Sequence, residues 1–439
     1  MTEQPKKFRP AEWIQKAALN VLTSDRGLRM ALLVRRRAPT IRAALQPVLS
    51  AVHDRLRRYY AVNHPKMEPS GGRPRLLVDV STTFHLSQVS GIQRTVRSLV
   101  SALKRNEMRY MFEIVPVRLR RDGTVLTLVT AREFPEAWSD GDILALRKGD
   151  CVLMLDSSWD IYPKWSEVIF PIIRSLGGKI ITCIYDILPV THPQFFPTKT
   201  VRMFNPWFKL ATEESDAVLS ISRATRSEVE QRSKLTRVQS LFFHLGADFG
   251  SAPSSQLSIS KKSIPTFLMV GTIEPRKGHA TVLDAFQAIW RSGQKMNLIF
   301  VGRPGWKVGA LMKRIRKTAK SNESFIFHEG ASDELLSECY RSADVVIAAS
   351  LAEGFGLPLV ETLRLGKPII ASDIPAFREV AGDLPTYFEP GNSAALVTAV
   401  RATLSETRSD PEVLPVWLTW DQSADQLMNK IGELLPKGA

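Results

Sequence analysis

Short apolar runs alternate with helical segments through most of this chain, and this alternation limits the fold more than any other feature. Runs such as "RLLVDVS" (75–81), "KIITCIYD" (179–186) and "TFLMVGT" (266–272) have the length and composition of buried strands. Most of them are separated by segments with helical periodicity. Because continuous apolar strands that alternate with helices form parallel sheets covered on both faces, the sequence predicts an α/β protein.

The alternation occurs twice, which predicts two Rossmann-like, doubly wound domains. A chain of 439 residues is too long for one ordinary core. We assign residues 75–250 to the first domain, 265–415 to the second, and the Ser-rich segment 251–264 to a linker. Two such domains in tandem face a central cleft at the carboxyl ends of their strands. Residues 416–439 predict a last helix, which we expect to cross back to the first domain.

Residues 1–74 precede the alternation as a basic helical extension and linker. Residues 1–75 carry 16 Lys/Arg and 5 Asp/Glu, a net charge of +11 in a chain whose total is +15. Two interpretations stay open for residues 1–62: a helical lid packed on the body, or an amphipathic basic surface on anionic lipid. Nucleic acid is a weaker partner, since the extension lacks aromatic interleaving and any recognisable binding motif.

The cysteines and the apolar content indicate the compartment. Cys151, Cys183 and Cys339 lie far apart and form no metal-binding spacing, which suits a reducing cytosol. No apolar stretch approaches the roughly 20 residues that cross a bilayer, and the N-terminus lacks a secretory signal. We therefore expect a cytoplasmic protein, peripheral on the inner face of the cytoplasmic membrane if the extension binds lipid.

The stretch "SLAEGFGLPLVETLRLGKP" (350–368) combines a strand end, a glycine-rich turn and a helix. Pro358 suits the first helical turn, and Gly366 suits the position after the last one. The helix then starts at the carboxyl end of a strand, where its unpaired N–H groups form a site for an anion such as phosphate. Gly354 and Gly356 let the backbone approach such a ligand closely.

Two glutamates flank this turn, and neither would stabilise a phosphate. Carboxylates accept hydrogen bonds from hydroxyls, and a vicinal diol offers two of them. Glu353 and Glu361 would therefore suit the sugars of a nucleotide sugar. A simpler interpretation also stays open, in which Glu353 is a loop acid and Glu361 pairs with Arg364 at i+3.

A second stretch, "VGTIEPRKGHATVLDAF" (270–286), also ends a strand at a glycine, Gly271, before a loop and a helix. Arg276 and Lys277 in this loop would lie at the same cleft, where a diphosphate needs cations. Each charge-assisted hydrogen bond there is worth roughly 1.5–3 kcal/mol. The alternative is a solvated basic turn.

Together the two stretches resemble the retaining GT-B glycosyltransferases of family 4. The resemblance covers residues 75–435 and is strongest over 266–385. Its most specific element is the E-x7-E motif, which Glu353 and Glu361 match. In the first domain, "VSGIQRTVRSL" resembles the glycine-rich turn of the family at Gly91, and "YDILPVTHPQFF" resembles its acceptor-side loop.

The resemblance implies a GT-B fold and a role for each matching residue. The arginine and lysine would neutralise the donor diphosphate, the second glutamate would bind the ribose, and the first glutamate with the turn's N–H groups would hold the transferred sugar. The residues implied to be catalytic are Glu353, Arg276, Lys277 and Asp186. The residues implied to bind the donor are Gly91, Gly271, Gly354, Phe355, Gly356, Leu357 and Glu361. No protein base is strictly required, because the leaving phosphate itself can take the proton of the acceptor hydroxyl. No metal or other cofactor is expected, because Arg276 and Lys277 would stabilise the charge that grows on the diphosphate.

One position departs from the family pattern. Many members carry His-Asp where this chain has Tyr185-Asp186. A tyrosine hydroxyl can donate a hydrogen bond but hardly acts as a base near pH 7. Either the histidine's role is dispensable, or His192 or His85 supplies it.

The implied reaction is transfer of a hexose from a nucleoside-diphosphate sugar to a hydroxyl of a glycan or lipid-linked oligosaccharide, in bacterial surface polysaccharide synthesis. GDP-mannose is the first expectation for the donor, and a UDP- or dTDP-linked glucose or rhamnose is the second. Two alternatives stay open. One is a sugar-nucleotide epimerase, and the other is a non-catalytic membrane-associated or scaffold protein that keeps the fold.

We expect deletion of residues 1–70 to weaken binding to anionic liposomes more than it lowers turnover on a soluble acceptor. The reason is that most of the positive charge that would attract anionic lipid lies there. Liposome co-sedimentation of the full and shortened chains measures this. Equal sedimentation of both chains would support the helical lid instead.

Overall fold

The computed structural model describes residues 72–85, 91–122, 125–132, 139–247, 264–405 and 417–434. These residues form two α/β domains, each built on its own sheet. The predicted helices of residues 11–62 and most of the predicted linker lie outside the described residues. The sequence-based expectations for them stay predictions.

The first sheet has eight strands in the order β4-β3-β2-β1-β5-β6-β7-β8. Its strands are β1 (Arg75–Asp79), β2 (Glu113–Asp122), β3 (Val125–Arg132), β4 (Ser139–Ile143), β5 (Cys151–Met154), β6 (Ile180–Ile184), β7 (Ala217–Ser220) and β8 (Gln239–Phe242). Its α-helices are α1 (Ser81–His85), α2 (Gly91–Arg105), α3 (Tyr162–Lys164), α4 (Phe170–Ser175), α5 (Leu188–Thr191), α6 (Thr198–Glu214) and α7 (Arg223–Arg232).

The second sheet has six strands in the order β11-β10-β9-β12-β13-β14, all parallel. Its strands are β9 (Thr266–Val270), β10 (Asn297–Val301), β11 (Phe325–His328), β12 (Val345–Ala348), β13 (Ile369–Ser372) and β14 (Thr386–Phe388). Its helices are α8 (His279–Arg291), α9 (Gly309–Ser321), α10 (Asp333–Ser342), α11 (Leu357–Arg364), α12 (Pro375–Ala381) and α13 (Ser393–Ser405).

The expectation of parallel pairing throughout is wrong at one edge of the first sheet. β2, β3 and β4 pair antiparallel, and the sequence analysis did not predict β3 or β4. The reason is geometric: Asp122 pairs with Val125, so only two residues separate β2 from β3. A connection of this length leaves no room for the crossover helix that parallel pairing requires.

Both faces of the first sheet are covered, as the continuous apolar strands predict. Alternate residues of β1 enter different cores: Leu76 and Val78 pack with α2, whereas Leu77 packs with Trp165 and Phe170 on the other face. All five residues of β1 are buried. The period of two along a strand thus distributes one apolar run between two layers.

A last helix, α14 (Trp420–Gly432), packs against α2 of the first domain. Its apolar residues, such as Leu427 and Ile431, are buried in the first domain's core. Thr419 and Gln422 form a capping box at its start. Gly246 permits the approach, since a Cβ atom there would lie 2.5 Å from the backbone nitrogen of Trp420.

The described helices include none that is both long and apolar enough to span a bilayer. Cys151, Cys183 and Cys339 are buried free thiols.

Candidate active site

The two domains meet where the strands of both sheets end. Gly354, in the loop after β12, lies on the backbone of the loop after β6, and a Cβ atom at Gly354 would lie 2.0 Å from the carbonyl oxygen of Tyr185. The Gly354 carbonyl accepts hydrogen bonds from Ser222 Oγ at 2.6 Å and Thr225 Oγ1 at 3.1 Å. The first domain therefore holds the glycine-rich loop of the second through its backbone.

Glu353, the first glutamate of the E-x7-E motif, lies at the centre of a charged cluster. Its Oε2 accepts a hydrogen bond from Arg276 Nη1 at 2.7 Å, and its Oε1 accepts from Lys277 and, at 2.7 Å, from Ser350 Oγ. Burial alone would raise the pKa of Glu353, but Arg276 and Lys277 hold it at about 2. The carboxylate is therefore ionised at neutral pH.

Backbone packing brings the two motif loops together. Leu351 N–H donates to the Arg276 carbonyl at 2.7 Å. Gly278 has φ +76°, and a Cβ atom there would lie 2.0 Å from the Ala349 carbonyl oxygen. Only glycine fits this position. Arg276 contacts Glu274 as well, at 3.3 Å, so it lies between two carboxylates.

The turn before α11 presents backbone donors. Gly356 has φ +103° and leads into Leu357, with Pro358 in the first helical turn. Among the described residues, no hydrogen bond occupies the N–H groups of Gly354, Phe355, Gly356 and Leu357. These groups lie at the positive end of α11 and suit an anionic oxygen. Gly366, with φ +65°, follows the helix as predicted.

Glu361 is buried in α11 and its carboxylate pairs with Arg94 of α2, across the cleft. Burial raises the pKa of Glu361, and Arg94 counteracts this. Glu361 therefore pairs with Arg94 and not with Arg364, the partner that the simpler interpretation expected. Arg94 belongs to the predicted glycine-rich turn, but no role could be predicted for it, because nothing local shows which residue faces it.

The remaining predicted residues surround this cluster. Asp186 is half-buried, and its Oδ1 accepts a hydrogen bond from Leu188 N–H at 3.1 Å. Burial raises the pKa of Asp186 above its ordinary value, and the charge of Arg276 opposes the rise. Gly91 begins α2 and Gly271 follows β9, and a Cβ atom at either would meet nothing within 4 Å. Phe355 is instead buried in the core of the first domain.

No candidate for the family histidine contacts Glu353. The Tyr185 hydroxyl is buried and donates to the Leu155 carbonyl at 2.8 Å. His192 pairs with the Thr191 hydroxyl at 2.8 Å. His85 lies beside Arg118, with its Nε2 at 3.2 Å from the guanidinium. The contacts of these three residues do not support the hypothesis that one of them replaces the family histidine.

Among the described residues, no group of three or more His, Cys, Asp or Glu side chains is arranged to hold a metal ion. An Asp-x-Asp pair, Asp140 and Asp142, lies on β4, the outermost strand of the first sheet. Asp142 is exposed there and pairs with Arg132 at 2.6 Å. Independence from metal stays a prediction.

Comparisons with known proteins agree with this architecture. Residues 255–413 match the family described as glycosyl transferases group 1. The Anabaena HepE protein, solved in complex with UDP-glucose, aligns over 81% of this chain and 94% of its own with a TM-score of 0.54 and 15% identity. The chain therefore has the GT-B fold.

The relatives that this chain resembles include mannosyltransferases. The serotype-specific mannosyltransferase WbdA of Escherichia coli is 32% identical over 82% of this chain and 47% of its own length. The O-antigen chain mannosyltransferase B of Escherichia coli is 25% identical over 52% of this chain and 62% of its own. The chain thus spans about half the length of its WbdA relatives.

We expect Gly354→Ala to prevent cleft closure while both domains stay folded. The added methyl would meet the Tyr185 carbonyl, a backbone atom that cannot move aside cheaply. Small-angle X-ray scattering should then show a larger radius of gyration than in wild type, with unchanged circular dichroism.

Gly309→Ala is the matched control, because a Cβ atom there meets nothing within 4 Å. A Gly354→Ala variant with the wild-type radius of gyration would contradict the contact.

Proposed function

We propose that this chain is a retaining glycosyltransferase of family 4 that moves a hexose from a nucleoside-diphosphate sugar to a glycan or lipid-linked hydroxyl. One observation carries the proposal. Arg276 and Lys277 converge on Glu353 beside the unoccupied N–H groups that begin α11. This arrangement offers cations and donors to a diphosphate, and a carboxylate to hydroxyls, within one cleft.

Binding of the donor would replace the ion pairs that Glu353 makes. In the structure, the Glu353 carboxylate pairs with both Arg276 and Lys277. A diphosphate would take hydrogen bonds from Arg276, Lys277 and the N–H groups of the turn, and the hydroxyls of the hexose would donate to Glu353. Because charge grows on the diphosphate as the glycosidic bond breaks, these donors stabilise the transition state more than the ground state.

The acceptor hydroxyl would attack from the face that the diphosphate leaves. The leaving phosphate can take the hydroxyl's proton, so the first domain needs only to position the acceptor. Asp186 suits that task, since it lies at the end of β6 next to the glycine-rich loop. Tyr185, whose hydroxyl faces Leu155, has no part in it.

A mannose donor and a surface polysaccharide product are the substrate classes we favour. The proposal is supported by the names of the relatives, a serotype-specific mannosyltransferase and an O-antigen chain mannosyltransferase. The alternatives are an epimerase and a scaffold protein. An epimerase would convert the sugar nucleotide without an acceptor, and a scaffold would bind no nucleotide.

We expect Arg276→Ala and Glu361→Ala each to lower sugar transfer by about 100-fold or more, because each removes a charged group that contacts the donor. Transfer of labelled hexose from GDP-mannose to mannoside acceptors measures this. Arg314→Ala and Glu329→Ala are matched controls, since both residues form exposed ion pairs on outer surfaces. Near wild-type transfer in either cleft variant would remove that residue from the site.

Calorimetric binding of GDP, UDP and dTDP tests the donor separately from the acceptor. GDP should bind most tightly if the donor is GDP-mannose. dTDP should bind weakly if Glu361 accepts hydrogen bonds from a ribose diol, because deoxyribose lacks that diol. Tighter binding of UDP or dTDP than of GDP would overturn the assignment of GDP-mannose, and binding of none would favour the scaffold.

A further inference from the structure

Arg94 and Glu361 join the two domains through a partly buried ion pair. Arg94 lies in the first turn of α2, three residues after Gly91, and its guanidinium donates to Glu361 Oε1. The Glu361 side chain is 4% exposed and the Arg94 side chain is 32% exposed. The carboxylate is therefore provided by one domain and its counter-charge by the other.

A buried carboxylate without a counter-charge tends to take up a proton. Burial raises the pKa of Glu361, and Arg94 is the group that opposes the rise. Protonation would matter to a donor, because a carboxylic acid carries an O–H donor and has less capacity to accept hydrogen bonds. A diol needs an acceptor for both of its hydroxyls.

Arg94 and a diol can occupy the same carboxylate together. An ionised carboxylate has about four lone-pair sites on its two oxygens. The Arg94 guanidinium donates to Oε1. One N–H group uses only one of these sites, so acceptor capacity remains for hydroxyls.

We propose that Arg94 is a positioning residue of the donor site, which acts across the cleft by holding the Glu361 carboxylate charged and oriented for a ribose diol. Recognition of the donor by the second domain then depends on contact with α2 of the first. This inference rests on the proposed function, in which Glu361 binds the donor's ribose.

The other charged and titratable groups around Glu361 do not replace Arg94. Tyr340 of α10 interacts with Glu361, but burial, followed by the charge of Glu361, raises the pKa of its hydroxyl well above the ordinary value. Tyr340 is therefore neutral near pH 7. Arg364 lies one turn further along α11 and is half-exposed.

Titration calorimetry with GDP on the full chain tests the proposal at about pH 7 and about pH 8.5, where Lys side chains stay protonated. Wild type measured at both pH values corrects for the ionisation of GDP itself. We expect Arg94→Ala to weaken GDP binding by about tenfold or more at the lower pH. Part of the loss should be recovered at the higher pH, since the ionised fraction of Glu361 rises with pH. Arg94→Lys, which keeps the charge, should bind nearly as wild type does.

Three comparisons separate this role from a general structural one. Arg105→Ala should bind GDP as wild type does, because Arg105 lies in the last turn of α2 and pairs with Asp421. The loss of affinity caused by Arg94→Ala should be smaller for 2′-deoxy-GDP than for GDP, because 2′-deoxy-GDP lacks one hydroxyl of the diol. Arg94→Ala/Glu361→Gln should bind no more weakly than Glu361→Gln alone.

Wild-type affinity in Arg94→Ala would overturn the proposal. An equal loss at both pH values, or an additive loss in the double variant, would also overturn it, because Arg94 would then act without Glu361. Wild-type protein that binds none of GDP, UDP and dTDP would overturn the proposed function together with this inference. Nucleotide binding by wild type with an unaffected Arg94→Ala variant would overturn the inference alone.

Discussion

The Gly354 carbonyl anchors the glycine-rich loop to the first domain, because it accepts hydrogen bonds from the hydroxyls of Ser222 and Thr225. A buried carbonyl that loses its hydrogen bonds costs free energy comparable to those bonds, so the contact determines where the loop lies. Glu353 precedes this carbonyl and α11 follows it within three residues. Glu353 therefore lies next to the anchored carbonyl, and the hydrogen bond from Leu351 N–H to the Arg276 carbonyl joins Arg276 to the same loop.

The positively and negatively charged side chains of the cleft nearly balance one another. Arg276 and Lys277 have Glu353 and Glu274 as partners, and Glu361 has Arg94. Removing one member of such a set would leave a buried charge without compensation, which is more destabilising than the net contribution of the pair suggests.

The fold class could be predicted because each signal for it, an apolar run or a helical period, lies within a few consecutive residues. Continuous apolar runs alternating with helices predicted two doubly wound domains, and the GT-B fold confirms that prediction. The antiparallel strands β3 and β4 were not predicted. Their composition does not distinguish them from parallel strands, and only the short connection between β2 and β3 does. Gly366, with φ +65°, could be placed because it follows the end of α11 in a conformation that few other residues adopt.

The sequence by itself determined the fold class and predicted which charged residues of the two loops lie at the cleft, because glycine, proline and charge patterns act over a few residues. Only the tertiary structure decided the pairing: Glu361 meets Arg94, which is 267 residues away, rather than Arg364 one turn along. It also turned the Tyr185 hydroxyl into the core and left Asp186 beside the glycine-rich loop. The physical reason is that a contact between two domains depends on how two separate sheets pack, and no local propensity carries that information.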